Sequence, residues 1–212
     1  MERIPLRDPA DRRSANTTYR FIATAARLTL SLFGRLEVVG TGQVPADGGV
    51  IVANHIGWLD PLWIGLAVWP RPVFFMAKRE LFIPVFGSIL RSAGVFPVDR
   101  GAPGPSALKL PLEILANGGL LVIFPGGTRS LQLDSLKRGA ATIATLANKP
   151  ILPVHYAGPA RLRLRDLLHR PTVTVELMPY ILPPERNGAK LREVTETLSN
   201  RIGEAIHGDR SE

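Results

Sequence analysis

Of the four histidines in the chain, His55 has the setting that proton transfer needs. An apolar run, Val50-Ile51-Val52-Ala53, ends at Asn54-His55, and Asp60-Pro61 reads as the cap and first residue of a helix. Asp60 lies five positions after His55. On one continuous helix the two would point about 140° apart, at about 100° per residue. They meet only across a turn, and Gly57 suits one. A carboxylate on one imidazole nitrogen fixes the tautomer and leaves the other nitrogen free as a general base. A single H-x-x-x-x-D is equally what a turn histidine beside an unrelated capping aspartate produces.

Three further segments have the look of strands delivering polar groups. Ser92 to Arg100 is an apolar strand that ends in an arginine. Ile123-Phe124-Pro125-Gly126-Gly127-Thr128-Arg129 is a strand, then a small-residue turn, then another arginine. Backbone N–H groups and a guanidinium in such a turn can hold phosphate oxygens. Ile151 to Gly158 is another apolar strand, with His155 inside it as a structural histidine. Taken singly, Arg100 and Arg129 read as surface or ion-pair arginines, and they gain weight from their position after strands.

In order, spacing and content these four segments resemble the four blocks of the glycerolipid acyltransferase family, most closely the bacterial 1-acyl-glycerol-3-phosphate acyltransferases. The likeness extends to Lys78-Arg79-Glu80-Leu81-Phe82-Ile83-Pro84, Phe86-Gly87 and Lys137-Arg138-Gly139, and covers about residues 36 to 158. It implies transfer of a fatty acyl group from acyl-CoA or acyl carrier protein to the free hydroxyl of 1-acyl-glycerol-3-phosphate, giving phosphatidic acid in phospholipid biosynthesis. It further implies that His55 takes the hydroxyl proton and Asp60 holds the imidazole. Arg100 and Arg129 would bind the acceptor phosphate, Gly127 and Thr128 would shape that loop, and no acyl-enzyme, metal or resident cofactor would be needed. A membrane-facing N-terminal helix and an apolar tunnel for the acyl chain belong to the same expectation. This sequence departs from the family in two places: Gly126 stands where a glutamate is usual, and Gly57 where a serine is common. Two other readings stay open. One is the same chemistry on a lyso-aminolipid, glycolipid or secondary metabolite; the other is a non-catalytic module that binds anionic lipid.

The scaffold behind these residues has ordinary globular make-up: 212 residues, 45% apolar and 21% charged. With no cysteine, disulfide scaffolds, thiolate metal sites and cysteine nucleophiles are excluded. Scattered histidines without clustered carboxylates give no support to a bound metal. The P-loop, the Rossmann glycine fingerprint and the G-x-S-x-G elbow are all missing. A net charge of +8 favours anionic partners. Nucleic acid is the weakest of these, because aromatic residues make up 7% and none group as a stacking platform.

Short β-branched runs at 36–39, 49–53, 72–76, 94–98, 120–124, 151–155 and 172–178 alternate with helical stretches at 61–68, 80–92, 106–116, 137–147 and 189–206. The alternation predicts a single α/β domain over 35–207, a mostly parallel sheet flanked by helices. Pro111 should sit near a first turn or make a kink. Residues 1–14 read as a flexible arm and 208–212 as a tail. Over 15–34 the pattern is an amphipathic helix: Thr17, Arg20, Thr24, Arg27 and Ser31 form a polar stripe, and Phe21, Ile22, Ala25, Leu28, Leu32 and Phe33 cover most of the rest. Such a helix either packs on the domain or lies in a membrane interface with its arginines at the headgroups. The first 35 residues hold seven arginines against three acids, half of the net charge.

Neither a signal-like stretch nor the ~20 apolar residues of a spanning helix is present. The expected location is therefore peripheral, on the cytoplasmic face of the cell membrane. Arg161, Arg163, Arg165 and Arg170 form a second basic run, either plain solvated surface or a dock for anionic lipid or an acidic carrier protein. Trp58, Trp63 and Trp69 belong either to the core or to a membrane boundary.

Overall fold

The computed structural model describes residues 17–98, 106–125, 130–161, 163–185 and 188–207, so the arm at 1–14 and the tail at 208–212 lie outside the described residues. Seven strands form one sheet: β1 (Arg35–Val39), β2 (Gly49–Ala53), β3 (Val73–Lys78), β4 (Val95–Val98), β5 (Leu120–Ile123), β6 (Ile151–Ala157) and β7 (Thr172–Leu177). Their order is β1-β7-β6-β2-β5-β3-β4. Every neighbouring pair is parallel except β6 and β7. The helices are α1 (Thr17–Phe33), α2 (Asp60–Ala67), α3 (Phe86–Ser92), α4 (Ser106–Ala116), α5 (Ser130–Ala147), α6 (Asp166–His169) and α7 (Leu191–His207). This is the mostly parallel, helix-flanked sheet that the alternation predicts.

Strand β2 lies at the centre, and every residue of it is buried because both faces are covered. Its side chains alternate between two cores. Val50 and Val52 face Leu115, Ala140, Ala144, Leu198 and Ile202 on the side of α4, α5 and α7. Ile51 and Ala53 face Trp63, Ile64, Leu30 and Tyr156 on the side of α1 and α2. Val194, Leu198, Ile202 and Ile206 recur every four residues along α7, so one stripe of that helix meets the core.

Helix α1 turns out to carry two apolar stripes. Leu30 is buried, and Tyr19, Ile22, Ala23 and Ala26 line the side facing α2 and the sheet. Phe21, Leu28 and Leu32 are 75%, 64% and 58% exposed. The helix thus packs on the domain and still presents apolar surface outward.

Elsewhere the pattern needed correction. The helix expected over 80–92 is split into a 3-10 turn at Arg79–Leu81 and α3 from Phe86. Pro84 has no N–H to donate and disfavours the α conformation at Ile83, and Val85 is turned to φ 68. Pro111 sits inside α4, which removes the first-turn alternative and leaves the kink as the expectation. Helix α6 falls within the basic run, where no element was expected.

Candidate active site

Strands β2 and β5 are parallel neighbours, Val52 opposite Ile123, so their carboxyl ends leave the same edge of the sheet. In α/β sheets that edge is where ligands bind. Beyond β2 the chain carries Asn54 and His55, then turns into α2.

Asn54 acts as a side-chain extension of the sheet. Its Nδ2 donates to the carbonyl of Tyr156 at 2.9 Å, and the Tyr156 N–H donates to Asn54 Oδ1 at 2.6 Å. The end of β2 is thereby tied to β6, 102 positions away in sequence. The turn that follows converges on Asp60. His55 Nδ1 donates to Asp60 Oδ2 at 3.1 Å, the Gly57 N–H donates to the same oxygen at 2.8 Å, and the Ile56 N–H does so too. A carboxylate only accepts, so Nδ1 carries the hydrogen and Nε2 keeps its lone pair.

Asp60 is fully buried, whereas the His55 side chain is 40% exposed. Three donors and the start of α2 offset the burial of this charge. The structure corrects its expected role as a cap. Leu59 is the cap residue, Asp60 is the first residue of α2, and its carboxylate reaches back to the turn instead of capping the helix.

The turn also rests on the chain leaving β6. Gly57 has no positive φ; glycine is required because a Cβ would overlap the backbone of Ala160. Beneath Asp60 lies Tyr156, whose hydroxyl donates to the Pro159 carbonyl at 3.2 Å. Burial, and secondarily the Asp60 carboxylate, pushes the Tyr156 phenol well above its ordinary range, so it stays neutral.

On the open side, Phe124 packs on the imidazole with ring centres 4.8 Å apart. Phe75 stacks on Phe124 at 6.4 Å and forms part of an apolar groove between α1 and α2, lined also by Ile22, Ala26, Leu62, Gly65 and Leu66. Phe75 and Phe124 thus stand between the groove and the His55 ring.

Of the residues singled out in the sequence, His55 and Asp60 are brought together. Arg100, Gly126, Gly127, Thr128 and Arg129 lie outside the described residues. His155 sits half-buried in β6, opposite Glu176 of β7. Trp63 is in the core at 1% exposure, and Trp69 stacks on Tyr19. Trp58, by contrast, is 89% exposed. The sequence pattern did not single out Asn54, Phe124 or Tyr156 as parts of the site. A polar residue at the very end of a wholly apolar strand was the one hint, at Asn54.

This arrangement sets a half-exposed histidine, held by a buried carboxylate, against an aromatic ring, and the family model described as Acyltransferase matches residues 35–157, more than half of the chain. The chain belongs to the acyltransferase family. As a member it is an acyl-transferring enzyme. A Bacillus subtilis (strain 168) protein named 1-acyl-sn-glycerol-3-phosphate acyltransferase is 42% identical over 144 residues, 67% of this chain and 72% of that one. A protein of the same name from Streptococcus pneumoniae is 36% identical over 181 residues, 82% of this chain and 66% of that one. This acyltransferase also superposes on the crystal structure of the 1-acyl-sn-glycerophosphate (LPA) acyltransferase PlsC from Thermotoga maritima. There the TM-score is 0.62 and the identity 24%, over 98% of this chain and 86% of that one, a likeness of fold.

Proposed function

We propose that this acyltransferase moves a fatty acyl group from the thioester of acyl-CoA or acyl carrier protein to the free hydroxyl of 1-acyl-glycerol-3-phosphate, giving phosphatidic acid. The observation that carries the chemistry is the buried Asp60 carboxylate on Nδ1 of a solvent-accessible His55, 3.1 Å away. Nε2 takes the hydroxyl proton as the oxygen attacks the thioester carbonyl. The tetrahedral adduct collapses with cleavage of the C–S bond, and the imidazolium returns its proton to the departing thiolate. Asp60 stabilises that imidazolium and keeps its tautomer fixed.

The acceptor is argued from the names of the two relatives and from the net charge of +8, which suits a phosphorylated substrate. Arg100 and Arg129 are proposed as its phosphate ligands, with Gly127 and Thr128 shaping the loop between strand and arginine. The acyl chain is proposed to lie in the groove between α1 and α2, whose Phe75 stacks on Phe124, the ring that packs on His55. Among the described residues no helix is long and apolar enough to cross a membrane. Attachment is proposed as peripheral, at the cytoplasmic face of the cell membrane, with the outward stripe of α1 against anionic lipid.

The experiment is thiol release from acyl-CoA and from acyl carrier protein with a panel of acceptors. Turnover with 1-acyl-glycerol-3-phosphate, lost in His55→Ala, is the expected result. Preference for an uncharged lysolipid would replace the acceptor, and absence of thiol release with every acceptor would leave a lipid-binding module.

A further inference from the structure

The chain that leaves β6 is built against the catalytic turn. Gly57 packs on the backbone of Ala160, so the turn after His55 meets the chain leaving β6, and the rim beside His55 comprises residues 56–58, 160–161 and 163–170. The side chains of that rim are unlike an ordinary solvated surface. Leu164 is 82% exposed and Leu168 85%, and on the turn Trp58 is 89% and Ile56 48% exposed. Around the leucines stand Arg161, Arg163, Arg165 and Arg170, all exposed. The one acid among them, Asp166, is 8% exposed; its Oδ2 accepts the Arg163 N–H at 2.7 Å and its Oδ1 lies 4.0 Å from Nε of Arg165, whose side chain stays 66% exposed. Helix α1 runs beside α6 and adds Phe21, Leu28 and Leu32 to the exposed apolar surface.

Large apolar side chains that are almost wholly exposed and ringed by guanidinium groups match a partner with anions outermost and an apolar layer beneath. An indole suits the boundary between those two layers. An acidic protein matches the arginines but offers no such layer to Trp58, Leu164 and Leu168 together. We infer that the rim formed by Ile56, Trp58, Leu164 and Leu168, with Arg161, Arg163 and Arg165, seats on the surface of an anionic lipid bilayer. The inference rests on the reading of the site as one that acts on a lipid acceptor, and it names the surface from which that acceptor is taken. A bilayer held at this rim lies at the mouth of His55, so the lysolipid hydroxyl reaches Nε2 with its acyl chain still largely in the lipid.

The test uses the full chain and vesicles of phosphatidylglycerol with phosphatidylcholine brominated on its acyl chains, with no substrate present. Brominated chains are expected to quench tryptophan fluorescence in the wild type, and Trp58→Phe is expected to remove most of that quenching. Leu164→Ser with Leu168→Ser is expected to weaken co-sedimentation with the vesicles at least about tenfold, since each leucine loses most of its apolar transfer energy. Both residues are exposed, so an unchanged melting temperature should accompany the loss. Quenching that persists in Trp58→Phe, or co-sedimentation unchanged by the leucine pair, overturns the inference. So does an Arg161→Gln, Arg163→Gln, Arg165→Gln variant that loses lipid-free binding to acyl carrier protein while vesicle binding stays intact. Because no substrate is present, failure to acylate 1-acyl-glycerol-3-phosphate would remove the acceptor reading and leave these measurements standing.

Discussion

Gly57 and Ala160 are in such close backbone contact that no side chain fits between them. Because Gly57 also gives its N–H to Asp60, the His55 turn is held between the carboxylate and the chain leaving β6. Serine is common at this position in the family, yet here Gly57→Ser must push the two segments apart. The expected cost is about 1–3 kcal/mol of stability, the range for overpacking. A fall in kcat of about tenfold to a hundredfold should accompany it, as the imidazole shifts from its place. Denaturation and thiol-release measurements on the purified variant check both; a serine variant equal to wild type on both counts would show that the loop at Ala160 yields freely.

His55→Ala should fold normally, because the side chain it truncates is 40% exposed. Its turnover should drop by about 10² to 10⁴, the usual contribution of positioned proton transfer. Asp60→Asn and Asp60→Ala should then part company. The amide oxygen of asparagine can still accept from Ile56 and Gly57, so the turn survives, but the charge that stabilises the imidazolium is gone and the rate falls by about 1.5–3 kcal/mol in activation free energy. Alanine leaves those N–H groups without an acceptor and should also lower stability, by about 1–3 kcal/mol for each donor left unsatisfied. Equal stability of the two variants would show that Asp60 does not organise the turn.

Some of this was legible in the sequence and some was not, for physical reasons. The apolar runs of β2 and β5 are readable because strands buried on both faces tolerate no polar residue. That His55 and Asp60 need a turn between them follows from helix geometry alone. An Asp-Pro pair at a helix start, however, looks the same whether the aspartate caps the helix or opens it, and only the back-reaching carboxylate decides. Glycine likewise signals either a positive φ or a close approach; at Gly57 it is the approach. Asn54 and Ala160 owe their roles to partners about a hundred positions away, which no local pattern shows. In α1 the apolar sector is wide enough for two stripes, and periodicity cannot say that Leu30 packs while Phe21 and Leu28 face outward.

The groove between α1 and α2 gives a handle on acyl-chain length. A Cβ at Gly65 would stand 3.4 Å from Val73 and 3.9 Å from Phe75, ordinary contact distances, so a larger side chain can enter the groove there. Gly65→Leu should exclude two or three terminal methylenes of the chain, at about 0.8 kcal/mol each. The ratio of kcat/KM for long over short acyl donors should fall about tenfold or more. A length profile identical to wild type would place the chain elsewhere.

Tyr156 makes stability depend on pH in a defined direction. Its phenol is raised above the ordinary 10.0, first by burial and then by Asp60, so the neutral form is favoured in the folded protein. That contribution is complete below about pH 10 and is lost as the pH climbs from there toward the higher folded value. Tyr156→Phe keeps the ring in its core and removes the titration. Its unfolding free energy should therefore fall less steeply than that of the wild type above about pH 10, where the tyrosine of the unfolded chain ionises. Parallel stability curves for the two proteins would contradict the linkage.

The proposed phosphate ligands, Arg100 and Arg129, follow β4 and β5 in the sequence. Val98 closes β4 and Ile123 closes β5, and both strands run parallel to β2, so these two strand ends lie on the edge of the sheet where β2 ends, and Arg100 and the run from Gly126 to Arg129 follow them in sequence. Gly126 stands where the family usually has a glutamate. A carboxylate there would accept hydrogen bonds from polar groups of the acceptor or orient an arginine, and glycine does neither. Losing a negative charge beside a phosphate also reduces repulsion, so a phosphorylated acceptor should still be used, with looser discrimination among headgroups or a raised KM. Arg129→Ala should cost about 1.5–3 kcal/mol in kcat/KM for that acceptor, the scale of a hydrogen bond to a charged group. Gly126→Glu should narrow the range of acceptors. The decisive measurement is the pair of acceptor profiles: if an uncharged lysolipid is preferred and Arg129→Ala leaves its rate unchanged, the phosphate is not what these residues bind, and acceptor choice must then be carried by the apolar groove and rim.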